Sequence, residues 1–143
     1  MVYLDTSVVV PLLAMEPSST AVLAWFNDLG ELPVSSDWLL TEFASAISMK
    51  IRTGQVSVSD ARAIHKDFDM LVAGNLRLVP VNRISFKNAA EISRYHDSGL
   101  RSGDALHLAV AQEFGATMIA TLDKTITKNC RRLKIGVVDF SRR

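Results

Sequence analysis

The sequence has little cysteine, glycine or proline, and it lacks long apolar runs. Its 143 residues include one cysteine, seven glycines and four prolines. A single thiol, Cys130, cannot form an internal disulfide or a cysteine-based zinc site, so a secreted disulfide scaffold and a zinc ribbon are excluded. A reducing, cytoplasmic compartment is therefore expected.

The apolar runs are much shorter than the roughly 18 residues that a membrane helix needs. The longest runs, residues 8–15 and 105–110, are interrupted by Pro11 and His107. No basic segment or cleavage-like site follows the first methionine, so neither a signal peptide nor membrane association is expected. The 48% hydrophobic and 22% charged shares are ordinary for one globular domain. We therefore expect residues 1–143 to form a single domain.

The net charge of +1 conceals an uneven distribution of charge. Residues 124–143 sum to +6, whereas residues 1–123 sum to −5. A basic end on an acidic body can contact a phosphate backbone, although a solvated helix followed by a tail is the alternative. The candidate phosphate-contacting residues in this segment are Lys124, Lys128, Arg131 and Arg132.

Short apolar runs alternate with amphipathic stretches along the chain. Strands are predicted at residues 2–4, 33–35, 76–81, 117–121 and 135–138. Helices are predicted at residues 7–14, 18–29, 38–52, 59–73, 85–96, 102–114 and 124–133. Ser59 is the predicted cap of the fourth helix, and Ser35, Ser36 and Asp37 offer caps for the third. The alternation predicts an α/β sandwich with a short, mainly parallel five-stranded sheet.

Four acidic residues stand among apolar residues or at the ends of predicted elements. Asp5 and Asp123 follow the first and fourth strands, Asp104 opens the most apolar helix, and Glu42 interrupts the apolar face of the third helix. In a parallel sheet the two strand-end acids emerge at one edge, where open α/β sheets bind their ligands. The two helical acids could complete a ring around them.

Each acid also has a purely structural interpretation. The first, third and fourth acids could cap a helix, charge its first turn or occupy a turn. No cap or turn explains Glu42, for which a salt bridge to Arg101 or Lys50 is the structural alternative.

A cluster of carboxylates favours a bound divalent cation. Carboxylates held close together repel and raise one another's pKa unless a cation lies among them. Ligand sets made only of oxygen select magnesium or manganese over zinc or copper. Such a metal activates water and neutralises charge on a phosphodiester, so the cluster predicts phosphoryl chemistry.

Two other side chains are weaker candidates. His107 lies one turn after Asp104 and could tune that acid, although a histidine at the edge of the core is the plainer interpretation. Cys130 lies among basic residues that could lower its pKa, but no neighbouring base supports a catalytic role.

Four motifs, in order along the chain, resemble those of the PIN-domain ribonucleases. They are Tyr-Leu-Asp-Thr-Ser at 3–7, Thr-Glu-Phe-Ala at 41–44, Gly-Asp-Ala-Leu-His-Leu-Ala at 103–109 and Ala-Thr-Leu-Asp at 120–123. The short single-domain form is similar to the VapC toxins of toxin–antitoxin pairs. The resemblance implies a three-layer α/β/α sandwich and a Mg²⁺- or Mn²⁺-dependent endoribonuclease that hydrolyses RNA, such as tRNA or rRNA.

The resemblance also implies roles for individual residues. The catalytic and metal-binding acids would be Asp5, Glu42, Asp104 and Asp123. Asp5 and Asp104 match direct metal ligands, and the other two acids would complete the site directly or through water. The residues that match supporting hydroxyl positions are Thr6, Ser7 and Thr121.

VapC toxins pair with a VapB-type antitoxin whose carboxyl-terminal segment covers the acidic site, and they commonly form homodimers. The resemblance therefore implies both partners here. The helices at 18–29 and 37–52, with Trp25, Phe26 and Trp38, offer a groove for such a segment, with core packing of these aromatics as the alternative.

Other magnesium-dependent folds fit the sequence less well. A receiver-like module needs a phosphoacceptor Asp after its third strand, where this chain has Asn82. A phosphatase of the haloacid-dehalogenase type needs a second Asp where Ser7 stands. A receiver-like or non-catalytic interaction module remains the alternative function.

Overall fold

The structure, a computed structural model, describes residues 1–141. The five strands are β1 (Val2–Leu4), β2 (Val34–Ser36), β3 (Arg77–Val79), β4 (Met118–Ala120) and β5 (Gly136–Val137). The seven α-helices are α1 (Thr6–Leu13), α2 (Ser19–Asn27), α3 (Trp38–Arg52), α4 (Val58–Gly74), α5 (Arg83–Arg94), α6 (Ser102–Glu113) and α7 (Lys124–Cys130). A short 3-10 helix (His96–Ser98) precedes α6. None of these helices is long and apolar enough to cross a membrane.

The strands form one sheet in the order β3-β2-β1-β4-β5, and every pair is parallel. Strand β1 is central, with Tyr3 opposite Val34 on one side and Ile119 on the other. The prediction of a mainly parallel five-stranded sheet is confirmed. Because β1 and β4 are adjacent and parallel, the residues that follow them lie at the same edge of the sheet.

Helices cover both faces of the sheet. Val2 and Leu4 belong to a hydrophobic cluster with α1, α2, α3 and α4, whereas Tyr3 belongs to a second cluster with α5, α6 and α7. This division follows from strand geometry, since successive side chains point to opposite faces. The predicted three-layer α/β/α arrangement is therefore confirmed, and α6 is buried along nearly its whole length.

Several predicted helix caps are wrong because the local hydrogen bonds run differently. Ser57 accepts from the backbone N–H of Asp60 at 3.0 Å, so α4 begins before Ser59. Ser35 and Ser36 belong to β2 and do not cap α3; Ser35 donates instead to the carbonyl of Leu4 at 2.7 Å.

Several predicted helix boundaries also shift, among them the start of α5 and the end of α7. Helix α5 starts at Arg83, where the Ser85 hydroxyl accepts from the backbone N–H of Asn82 at 3.2 Å. Helix α7 ends at Cys130, three residues before the predicted end. Arg142 and Arg143, which contribute to the basic end of the sequence, lie outside the described residues.

Candidate active site

Asp5 lies at the carboxyl end of β1 and is 3% exposed. Its carboxylate makes no capping hydrogen bond to α1. It accepts hydrogen bonds from the hydroxyls of Ser7 at 2.7 Å and Thr121 at 2.9 Å. Burial raises the pKa of Asp5 to about 6, although the charge of His107 and the two hydroxyls oppose that rise. The fold thus buries a carboxylate whose ionised form is less favourable than it would be in water.

The two hydroxyls on Asp5 also tie the ends of β1 and β4 together. Ser7 accepts from the backbone N–H of Leu122 at 2.8 Å, and Thr121 accepts from that of Asp123 at 3.0 Å. Each hydroxyl therefore donates to the buried acid and accepts from the loop that carries the next one. Asp5 and Asp123 are held in a fixed relation as a result.

Glu42 reaches the same edge of the sheet from α3. Its Oε1 accepts from the Thr6 hydroxyl at 2.7 Å and also contacts Nε2 of His107. Burial would raise the pKa of Glu42, but the hydrogen bond and charge of His107, with smaller contributions from Thr6 and Trp38, outweigh it and lower the pKa. Lys50 pairs with Glu16 at 2.6 Å, so the structural alternative of a Glu42 bridge to Lys50 or Arg101 is wrong.

Asp104 and Asp123 each combine a helix-capping bond with a position near the other acids. Asp104 accepts from the backbone N–H of Arg101 at 3.1 Å, at the start of α6. Asp123 is the N-cap of α7, where its Oδ1 accepts from the N–H groups of Thr125 at 2.7 Å and Ile126 at 2.9 Å. The interpretation of Asp104 as a first-turn charge is therefore correct, whereas Asp123 caps a helix and is not the turn residue that was the structural alternative. Each acid still has one carboxylate oxygen outside these bonds.

The four acids lie close enough for their charges to interact. Burial raises the pKa of Asp104, and the negative charges of Asp123 and Glu42 raise it further, while Asp123 also contributes to the raised pKa of Asp5. Within residues 1–141, none of the four carboxylates forms an ion pair with a lysine or arginine. In this part of the chain, the cluster of negative charge therefore has no lysine or arginine as an ion-pair partner.

The donor set of this cluster fits Mg²⁺ or Mn²⁺. These hard cations prefer carboxylate oxygen, and Mg²⁺ is usually held by one or two carboxylates while it retains several waters. Among residues 1–141, no three His, Cys, Asp or Glu side chains form a ready-made metal site. The carboxylates would therefore supply part of the coordination sphere, and water or substrate oxygens the rest.

His107 is bonded more closely to the acidic site than its position in the sequence indicated. The ring is 2% exposed and bonds at both nitrogens, with Nδ1 at 2.7 Å from the Tyr3 hydroxyl and Nε2 against Glu42. Its spacing from Asp104 suggested an influence on that acid, and the charge of His107 does oppose the raised pKa of Asp104. Its direct hydrogen-bond partner at the site is Glu42. The one available signal was a polar ring in the most apolar helix of the chain, since a buried imidazole needs partners.

Cys130 was assigned a possible lowered pKa from its basic neighbours, and this is wrong. Burial raises the pKa of its thiol to about 11. The thiol donates to the carbonyl of Ile126 at 3.1 Å in the core beneath α7. It therefore has no part in the site.

Comparison with known proteins agrees with this geometry. The model of the PIN domain family matches residues 2–131. The chain belongs to the PIN domain family. The resemblance drawn from the four sequence motifs is thereby confirmed.

This PIN domain is similar to proteins described as ribonucleases and toxins. It is 29% identical to Ribonuclease VapC35 of Mycobacterium tuberculosis, over 96% of both chains. It superposes with a TM-score of 0.75 on FitAcB from Neisseria gonorrhoeae, over the whole of both chains at 18% identity. The TM-score is 0.71 for M. tuberculosis VapC20, described as a Sarcin-Ricin loop cleaving toxin, which covers 89% of this chain and 93% of that one at 17% identity.

An open groove of about 750 Å³ runs from the acidic site of the PIN domain along α3. The residues that line it include Glu42, Leu122, Met49, Lys50 and Arg101. The sequence predicted a groove between α2 and α3 that is lined by Trp25, Phe26 and Trp38. Only Trp38 of the three lines the groove in the structure, whereas Trp25 and Phe26 are half-buried against the core, and Trp25 packs on Phe140 at 5.2 Å.

The basic residues on and just after α7 begin directly after Asp123. Lys124, Lys128 and Arg131 are exposed. Arg132 stacks on the ring of Tyr95 at 4.8 Å and donates to Asn129 at 3.1 Å, so its charge is held in place. The positive charge of this segment therefore starts next to the acidic cluster.

Proposed function

We propose that the protein is a metal-dependent endoribonuclease of the toxin type, which hydrolyses phosphodiester bonds in structured RNA such as tRNA or rRNA. The observation that carries the proposal is the meeting of Asp5, Glu42, Asp104 and Asp123 at one sheet edge without a lysine or arginine partner among residues 1–141. Similarity to Ribonuclease VapC35 along 96% of the chain supports the same activity.

Mg²⁺ or Mn²⁺ is the proposed cofactor, with Asp5 and Asp104 as direct ligands and Glu42 and Asp123 bound directly or through water. When bound, the ion would activate the attacking water and offset negative charge on the phosphodiester. The protein contributes rigidity to this arrangement, because hydroxyls hold Asp5 and Glu42, and backbone N–H groups hold the other two acids.

RNA would reach the acids past α7. The exposed side chains of Lys124, Lys128 and Arg131 follow Asp123 and can contact successive phosphates, which would release counterions from the RNA. Arg132, fixed over Tyr95, would present its charge in a set direction. In this proposal the basic segment binds the backbone and supplies no base recognition.

An antitoxin of the VapB type is the proposed protein partner, and the groove along α3 is its proposed binding surface. VapC20, whose fold this chain shares, is described as a toxin, and the resemblance to VapC toxins implies an antitoxin partner. The groove offers exposed apolar surface at Met49 and Leu122, and Glu42 is among the residues that line it. An antitoxin segment with apolar residues and a terminal arginine or lysine would fit both features. We also propose a homodimer acting in the cytoplasm.

Cleavage of total cellular RNA by antitoxin-free protein tests the proposed activity. We expect cutting in Mg²⁺ or Mn²⁺ that is abolished by a chelator and by Asp104→Asn, whose side chain can still accept the capping bond from Arg101. Asp60→Asn on α4 provides a control at an acid outside the cluster. A folded sample that neither cuts RNA nor binds divalent ions would support a non-catalytic interaction module instead.

A further inference from the structure

A hydrogen-bonded chain leads from the interior of the sheet to the acidic site. It begins at Ser36 of β2, whose Oγ lies 3.0 Å from the Tyr3 hydroxyl. The same hydroxyl lies 2.7 Å from Nδ1 of His107, and Nε2 of that ring contacts Oε1 of Glu42. Tyr3 and Ser36 are fully buried, so water does not compete for these bonds.

The direction of each hydrogen bond in this series shows how His107 holds Glu42. A carboxylate oxygen accepts hydrogen bonds, so in the contact between Nε2 of His107 and Oε1 of Glu42 the ring is the donor. The contact of Nδ1 with Tyr3 fixes the plane of the ring. A ring held at both nitrogens can turn only if it gives up one of these bonds.

The remaining sides of Glu42 are also enclosed. Thr6 donates to the same oxygen that His107 contacts, at 2.7 Å. A Cβ placed on Gly103 would come within 3.0 Å of Oε2, so the backbone of α6 packs directly against the second oxygen. The carboxylate therefore has one oxygen saturated by donors and the other in a defined position.

We propose that His107, oriented by Tyr3, is a positioning residue that holds Glu42 in the conformation required for binding a divalent cation. This inference rests on the proposed function for the identity of the ion, but the hydrogen bonds themselves exist in the metal-free protein. Partners that orient metal ligands in this way typically contribute about 10- to 100-fold to metal affinity.

Mn²⁺ binding to the full chain, measured by calorimetry, tests the proposal. His107→Phe, which keeps the ring volume but removes both nitrogens, should weaken binding by roughly 10-fold or more. His107→Gln retains a donor near the position of Nε2 and should recover most of that loss, and Tyr3→Phe should cause a smaller loss. His96→Gln, on an exposed histidine, should bind as the unmodified protein does.

A double-mutant cycle separates positioning from general loosening of the fold. If His107 acts through Glu42, His107→Phe should change Mn²⁺ affinity by no more than about twofold in a Glu42→Gln background. An equal loss in both backgrounds, or no loss in either, would overturn the proposal. A purely structural role would lower the melting temperature of His107→Phe and His107→Gln alike and leave Mn²⁺ affinity unchanged.

The hydrogen bond between His107 and Glu42 can also be observed by NMR in the metal-free protein, independently of any nuclease activity. In the chelated protein, the Nε2–H proton of His107 should give a downfield, slowly exchanging NMR resonance that shifts in Glu42→Gln. If no form of the protein binds Mn²⁺ but this resonance behaves as described, the proposed cofactor is wrong while the hydrogen bond that positions Glu42 is supported. Absence of the resonance in the folded, chelated protein would overturn the positioning inference itself.

Discussion

The Thr121 hydroxyl donates to Oδ2 of Asp5 at 2.9 Å across 116 positions of the sequence. The bond joins the loop after β4 to the end of β1. The carboxylate of Asp5 is buried there, and the negative charge of Asp123 acts on it. A side chain placed in this way reduces the stability of the fold when it is ionised. The cost should be relieved by protonation, by neutral substitution or by a bound cation.

Asp5→Asn should therefore stabilise the metal-free protein at neutral pH. The pKa of Asp5 is raised from 3.8 to about 6, so the folded state binds its proton more tightly than the unfolded state does. The stability linked to that proton is fully present below about pH 4 and is lost as the pH rises through about 6. At pH 7 the variant should be more stable than the unmodified protein by roughly 1–3 kcal/mol.

Urea unfolding in chelator between pH 4 and pH 7.5 measures this difference. The stability difference between the two proteins should grow with pH over this range, while other titrating groups cancel. Parallel pH profiles would contradict the burial argument. Added Mn²⁺ should raise the melting temperature of the unmodified protein at pH 7.5 but not that of Asp5→Asn, since only a ligand bound to the folded state stabilises it.

The two functions of Asp123 can be separated by substitution. Asp123→Asn keeps a side-chain oxygen that can accept from Thr125 and Ile126, so the stability should change by only a few tenths of a kcal/mol. Asp123→Ala removes the cap and should cost about 1 kcal/mol. Both variants should lose RNA cleavage, because both lack the charge. Full cleavage by Asp123→Asn would show that the residue serves only as a helix cap.

Gly103→Ala should weaken metal binding without unfolding the protein. The added methyl group would lie 3.0 Å from Oε2 of Glu42 and 3.1 Å from Nε1 of Trp38, so the carboxylate must move. The higher helix propensity of alanine offsets part of the steric cost by about 1 kcal/mol. We expect roughly 10-fold weaker Mn²⁺ binding.

Gly74→Ala is the matched control for this substitution, because nothing lies within 4 Å of its added methyl group at the end of α4. It should bind Mn²⁺ with unchanged affinity. An unchanged affinity for Gly103→Ala as well would mean that the position of Glu42 does not matter for binding.

Neutralising exposed charges on α7 and at its C-cap should reduce the salt dependence of RNA binding. Lys128→Gln combined with Arg131→Gln removes two candidate phosphate contacts, so the slope of log affinity against log salt should become shallower by roughly 1.5. Arg62→Gln combined with Lys66→Gln, on exposed positions of α4, changes the net charge equally. If both pairs alter the slope to the same extent, the effect comes from net charge and α7 is not the contact surface.

The sequence predicted the fold well because its signals are local. Short apolar runs alternate with amphipathic stretches, and parallel pairing of such runs brings Asp5 and Asp123 to one edge without any knowledge of side-chain packing. The wrong helix caps at Ser59 and Ser35 reflect competition among neighbouring hydroxyls. That competition is decided by backbone conformations which the residue types leave open.

The partners of Glu42 could not be predicted in the same way. His107 lies 65 positions away on a helix of the opposite layer, and the contact depends on how α3 and α6 meet beyond the sheet edge. Charge suggested Lys50 or Arg101 as partners. In the structure Lys50 pairs with Glu16, and the imidazole of His107 contacts Glu42. The partner of Glu42 is therefore set by which side chains the packed helices bring near it, and not by which side chains carry a full charge.

An anomalous difference map from a crystal soaked in Mn²⁺ would show directly whether the acids at the sheet edge form the metal site of a nuclease. We predict one strong peak bonded to carboxylate oxygens of Asp5 and Asp104, with Glu42 and Asp123 bonded directly or through ordered water. Well-ordered carboxylates with no anomalous peak between them at millimolar Mn²⁺ would contradict the account.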